Sequence, residues 1–135
     1  MKCKLIGELI SEYKGKNAST RVLDDGKQES TSIGAGTLLG KEATIVNTAV
    51  FTLMPNGVNM MEGNGIERTA EGEGAKIKFN GIGWSSGKGL KLSLRGAAYF
   101  MTSSPSLVSL NKIVGVWEFE QDEQGEFSLK VWAWK

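Results

Sequence analysis

Polar and apolar residues alternate with a period of two along most of this chain, and the alternation is punctuated at short intervals by glycine-containing turns. It is plainest in Leu90-Lys91-Leu92-Ser93-Leu94-Arg95, where leucines take one face and polar groups the other, the signature of a half-buried strand. Phe127-Ser128-Leu129-Lys130-Val131-Trp132-Ala133-Trp134 repeats it with β-branched and aromatic residues that suit a pleated surface, and is expected to close the sheet. In 43–54 one face carries Ala43, Ile45, Asn47, Ala49, Phe51 and Leu53, and the other Thr44, Val46, Thr48, Val50, Thr52 and Met54. Both faces of that run look partly buried, with Asn47 the polar exception. Residues 97–101, Ala-Ala-Tyr-Phe-Met, are apolar on both faces, which implies cover on both sides and makes a partner subunit an expected neighbour.

The breaks are Asp24-Asp25-Gly26, Pro55-Asn56-Gly57, Glu71-Gly72-Glu73-Gly74, Ser85-Ser86-Gly87-Lys88-Gly89 and Asp122-Glu123-Gln124-Gly125. Glycine and asparagine accept the positive φ that hairpin turns demand, so hairpins in series are expected, giving an antiparallel meander. One segment has helical spacing. Ser104 is placed to cap it, Pro105 suits the first position, and Leu107, Leu110 and Ile113 or Val114 follow, which predicts at most one short helix near 104–112 that plugs one end of a barrel. The expectation is a single all-β domain over residues 1–135, an antiparallel meander β-barrel of about eight strands.

Composition narrows the chemistry. The chain of 135 residues has 40% hydrophobic and 23% charged residues, which argues against disorder. Its net charge of +1, with basic and acidic residues interspersed, leaves no electrostatic footprint for nucleic acid. No run approaches the 18 or so apolar residues of a membrane helix, and the N-terminal segment reads as a strand, so a soluble cytoplasmic protein is expected. Histidine is absent, which removes Ser-His-Asp and Cys-His catalysis and the usual zinc sites. The single cysteine, Cys3, has no internal disulfide partner and is expected to be a reduced thiol. Asp24, Asp25 and Glu29 lack the alternate spacing of a calcium loop, so neither a metal nor a cofactor is expected.

The pairs Gly34-Ala35-Gly36, Gly63-Asn64-Gly65 and Gly81-Ile82-Gly83 lie within strand patterns and open no helix. They point to coiled strands and close backbone approach, not to a phosphate loop. Glu62, Glu67 and Glu118 fall inside strand patterns where a core prefers apolar residues, and Arg68 and Arg95 are the natural counter-charges. Trp84, Tyr99 and Trp117 are candidates for the wall of an apolar pocket. Glu67 shares a strand face with Gly65 and Gly63, whose small size leaves room beside it. The candidate ligand-binding set is therefore Asn47, Glu67, Arg95, Trp84, Tyr99 and Trp117, with Arg68 as the alternative counter-charge and no catalytic residue assigned.

The segments Gly63-Asn64-Gly65-Ile66-Glu67, Gly96-Ala97-Ala98-Tyr99-Phe100 and Leu110-Asn111-Lys112-Ile113-Val114-Gly115-Val116-Trp117-Glu118 resemble small, uncharacterised prokaryotic proteins of the allene-oxide-cyclase-like barrel type. That resemblance implies a barrel of eight strands or slightly more with an apolar interior, often oligomeric, and transfers no catalytic residue. Three functions follow as expectations. The first is a barrel binding a small apolar ligand; the second, a cyclase or isomerase working without metal or histidine; the third, an interaction protein that self-assembles into a dimer or larger ring.

Overall fold

In the computed structural model, which describes residues 5–85 and 88–135, eight antiparallel strands close into a barrel. They are β1 (Ile6–Val22), β2 (Gln28–Leu38), β3 (Lys41–Leu53), β4 (Asn59–Thr69), β5 (Gly74–Ser85), β6 (Leu92–Met101), β7 (Val114–Gln121) and β8 (Glu126–Trp134). Each strand pairs with its neighbours in sequence, and β1 pairs with β8 from Ser11 opposite Val131 to Lys16 opposite Glu126, so no edge is left open. The expected meander is the observed one. Register shifts in β1 at Leu9/Ser11 against β8, and at Asn17/Ser19 against β2, let this long strand bend with both partners.

Four of the turns are built alike. At Leu23, Met54, Thr69 and Asp122, the residue's N–H donates to the carbonyl four positions on and its carbonyl accepts from a glycine three positions on. Those glycines, Gly26, Gly57, Gly72 and Gly125, all have φ between 84° and 91°. This is the type I turn closed by a left-handed residue, and only glycine takes that position without strain. The turn between β2 and β3 is tighter: Leu39 and Gly40 both have positive φ, 50° and 78°, as a two-residue hairpin requires. No Asn or Asp marks it, so local sequence carries no signal for this turn.

The helical segment is a 3₁₀ helix, Pro105–Lys112. A three-residue repeat superposes Leu107 and Leu110 on one side, and both are fully buried. Ser104 sits at the cap position without a side-chain capping hydrogen bond; its Oγ turns instead to the Gly74 backbone, accepting from N at 3.3 Å. Thr102 Oγ1 donates to Gly74 O at 2.7 Å, and Lys41 Nζ donates to Ser106 Oγ at 3.1 Å. The helix is thereby pinned across the barrel end where β3 and β5 begin, and its leucines join Leu38, Ala43, Ala75 and Phe100 in the core. The opposite end carries the β1–β2, β3–β4, β5–β6 and β7–β8 connections, and no described residue caps it.

Alternation decides what faces inward. In β3 the Ala43, Ile45, Ala49 face is buried, and its other face is largely exposed at Thr44 and Val46, so that strand is not covered on both sides. In β6, Ala98 and Phe100 are buried, while Tyr99 and Met101 lie outside, 48% and 53% exposed, and no described residue covers them. Cys3 lies outside the described residues. Among the described residues no helix is long and apolar enough to cross a membrane.

Candidate functional site

The inward side chains of the open half do not fill the barrel. A cavity of about 470 Å³ remains, walled by apolar residues such as Ile45, Ala49, Met61, Ile77, Leu94, Phe119 and Leu129. Its mouth is polar, with Asn17, Thr20, Gln28, Ser30, Asn59 and Lys91. The mouth loop is tied down on one side, because Gln121 Nε2 donates to Leu90 O at 2.7 Å and Leu90 N donates to Glu123 O at 3.1 Å.

Trp117 forms part of the wall. Its indole lies over the facing pair Gly81 and Gly96, donates from Nε1 to Ala97 O at 2.9 Å, and meets Phe79 edge-on with ring centroids 6.2 Å apart. The indole N–H is thus satisfied by backbone, which leaves its ring as an apolar surface.

Toward the closed end the cavity meets Glu67, which is completely buried. Period two puts it inward with Met61, Gly63, Gly65 and Thr69, opposite Ile45 on β3 and Ala75 on β5. Tyr13, fully buried on β1, donates its hydroxyl to Glu67 Oε2 at 2.8 Å from across the barrel. The other carboxyl oxygen, Oε1, has no hydrogen-bond partner among the described residues. Asn47 stands beside it, opposite Gly65, and a Cβ at Gly65 would fall 2.0 Å from Asn47 Oδ1. Glycine there makes the room that Asn47 occupies. Asn47 Oδ1 is likewise buried without a partner among the described residues.

Electrostatics follow from that isolation. Burial pushes the Glu67 carboxyl up to about 7, and the hydrogen bond from Tyr13 offsets only part of the rise. Tyr13 is pushed well above the usual phenol range by burial first and by the adjacent carboxylate second. An unpaired buried carboxylate costs several kcal/mol, so Glu67 keeps its proton until near neutrality. With one oxygen held by Tyr13 and the other free, the group can donate a hydrogen bond or a proton in its acid form and accept one in its ionised form.

The expected counter-charges are elsewhere. Arg95 faces outward, where its guanidinium reaches Glu118 at 3.6 Å and Glu120 at 2.9 Å, and Arg68 is exposed. Trp84 and Tyr99 are also outside, 53% and 48% exposed. The reason is parity: Trp84 follows the inward Gly83, and Arg95 and Tyr99 each alternate with the inward Leu94, Ala98 and Phe100. Of the candidate set, Asn47, Glu67 and Trp117 come together around the cavity and Arg95, Trp84 and Tyr99 do not. Glu62, also exposed, shares the outer face. Tyr13, which the sequence reading missed, had one weak signal: an aromatic residue between Glu12 and Lys14 in an alternating strand. Among the described residues no group of three or more Asp, Glu, His or Cys side chains is arranged to hold a metal ion.

No family model matches the chain, and no curated protein matches it. Several solved structures do. A conserved protein of unknown function from Rhodopseudomonas palustris superposes with a TM-score of 0.79 at 12% identity, over 98% of this chain and 99% of that one. A beta-barrel like protein from Acinetobacter baumannii gives 0.79 at 15% identity over 99% of each chain. An enzyme from Penicillium herquei gives 0.67 at 14% identity, over 100% of this chain and 98% of that one. At such identities the likeness establishes the fold alone, and it bears out the resemblance to small prokaryotic barrel proteins.

Proposed function

We propose that this chain is a binding barrel for a small, mostly apolar molecule that enters at the open end and presents one polar group to Glu67 and Asn47. The observation that carries this reading is the cavity of about 470 Å³, apolar along its walls and provided with two unpartnered oxygens where it meets Glu67. That volume lies in the range of small-molecule sites. A core selected only for stability has no use for an unpaired carboxyl, since an apolar residue of similar volume costs less there. We also take the chain to work in the cytoplasm, a reading supported by its single cysteine. The test is titration with the apolar fluorophore N-phenyl-1-naphthylamine. Saturable enhancement at one probe per chain, abolished by Ala49→Phe, supports the reading because Ala49 lines the cavity. No binding, or binding indifferent to Ala49→Phe, sinks it.

The state of Glu67 favours a second reading, an isomerase or cyclase that needs neither metal nor histidine. A carboxyl that titrates near neutrality is suited to give a proton to one atom of a bound ligand and take one from another. One of the similar structures is an enzyme, which supports the fold's capacity for catalysis without transferring a reaction. Deuterium entering a bound ligand from heavy water, and lost in Glu67→Gln, separates turnover from simple binding.

A further inference from the structure

The two unpartnered atoms on residues that line the cavity are of one kind; the third buried atom without a partner among the described residues, Ser11 Oγ on β1, belongs to a residue that does not line it. Glu67 Oε1 and Asn47 Oδ1 are both acceptors, and the one donor that reaches the carboxyl, the Tyr13 hydroxyl, is already used on Oε2. Asn47 and Glu67 stand diagonally across the β3–β4 ladder, with Asn47 opposite Gly65 and Ile45 opposite Glu67. That diagonal is roughly 7 Å at the backbone, a separation within the reach of long side chains, so the two tips can be addressed by a single group carrying two or more N–H donors.

Charge sharpens the choice of group. Of the described residues lining the cavity only Glu67 and Lys91 carry charge, and Lys91 is an exposed residue at the mouth. From β1 Glu67 faces Tyr13; its neighbours on β3 and β5, Ile45, Asn47, Ala75 and Ile77, do not titrate. No cation of the described chain accompanies the carboxylate, since Arg68 is exposed and Arg95 is held outside by Glu118 and Glu120. The Phe79 and Trp117 rings line the same cavity, and aromatic side chains are favourable neighbours for a desolvated cation.

We infer that the polar group of the ligand is a protonated amine, carried into the cavity on an apolar body and seated against Glu67 and Asn47. This rests on the binding-barrel reading and deepens it. An ammonium supplies the missing positive charge and N–H donors for both orphaned oxygens, and charge-assisted hydrogen bonds are roughly twice as strong as neutral ones. A carboxylate ligand brings a second negative charge into the same pocket. A ketone or ester gains a donor from Glu67 only while that carboxyl is protonated. The two classes therefore have opposite pH dependence. Because burial holds Glu67 up to about 7, an amine binds more tightly as pH rises to neutrality, and an acceptor ligand more weakly.

The experiment is calorimetric titration of the full chain with 1-naphthylmethylamine, 1-naphthalenemethanol, 1-naphthoic acid and naphthalene in 0.15 M salt. At pH 7.5 the amine should bind at least about tenfold tighter than the alcohol, and the acid weakest. Lowering the pH to 5.5 should weaken the amine roughly twenty-fold, the drop in the ionised fraction of a group titrating near 7. In Glu67→Gln the amine should fall to within about twofold of the alcohol and lose its pH dependence, while naphthalene binding persists and reports that the cavity is intact. Alcohol or acid binding as tightly as the amine, or an amine preference that survives Glu67→Gln, overturns the inference while leaving the cavity reading standing. Failure of all four probes overturns both.

Discussion

Replacing Glu67 by glutamine keeps the shape of the side chain and an oxygen for the Tyr13 hydroxyl, and removes only the capacity to ionise. The energetic consequence follows from linkage. The carboxyl titrates near 4.5 in the unfolded chain and at about 7 when folded. Across that window the folded protein holds a proton that the unfolded chain has released, so stability falls as pH rises. Below the unfolded value and above the folded one, this group adds no slope. At about 1.4 kcal/mol per pH unit, wild-type protein should lose about 2 kcal/mol between pH 5 and pH 7.5 from Glu67 alone. The chain has no histidine to titrate in the same interval. Urea unfolding at the two pH values should show Glu67→Gln about equal to wild type at pH 5 and more stable by about 2 kcal/mol at pH 7.5. If wild type and variant change in parallel over this range, Glu67 is paired or solvated and the account of the site is wrong.

Gly96→Ala should destabilise by more than about 2 kcal/mol, since the new methyl would fall 2.0 Å from Asn80 O and 2.5 Å from Trp117 Cζ2; thermal melting checks it. Arg95→Ala should change stability by less than about 1 kcal/mol and leave N-phenyl-1-naphthylamine binding intact, because its carboxylate partners are on the exposed outer face. Self-association is expected from the uncovered outer residues Tyr99 and Met101 and from the cross-strand row Ile33, Val46 and Ile66, each 45% exposed or more. Light scattering at micromolar concentration should give a mass above the 14.6 kDa of one chain, and a monomer mass throughout would refute it.

The barrel was legible because its turns and strands are locally encoded. Gly26, Gly57, Gly72 and Gly125 announce left-handed turn positions, and the leucines of 90–94 announce a half-buried strand. Leu39-Gly40 was not legible, because no Asn, Asp or Pro stands in the run from Gly34 to Gly40 and its two leucines continue the strand pattern. At the site, Asn47 and Glu67 emerged as polar exceptions on apolar or small-residue faces. Arg95 was assigned by charge complementarity against the parity of its own strand, which sets it opposite the leucines. Trp84 and Tyr99 were grouped with Trp117 by residue type alone, although their strands point them outward. The Tyr13–Glu67 hydrogen bond joins positions 54 residues apart across the interior, and no local periodicity encodes such a contact.

A crystal structure of the protein saturated with N-phenyl-1-naphthylamine tests the central claim most directly. The account predicts a hollow interior, with the probe between Phe79, Leu94 and Trp117 and one edge toward Asn47 and Glu67. An interior packed solid by its own side chains, with Glu67 reaching bulk solvent or a lysine or arginine side chain, would contradict it.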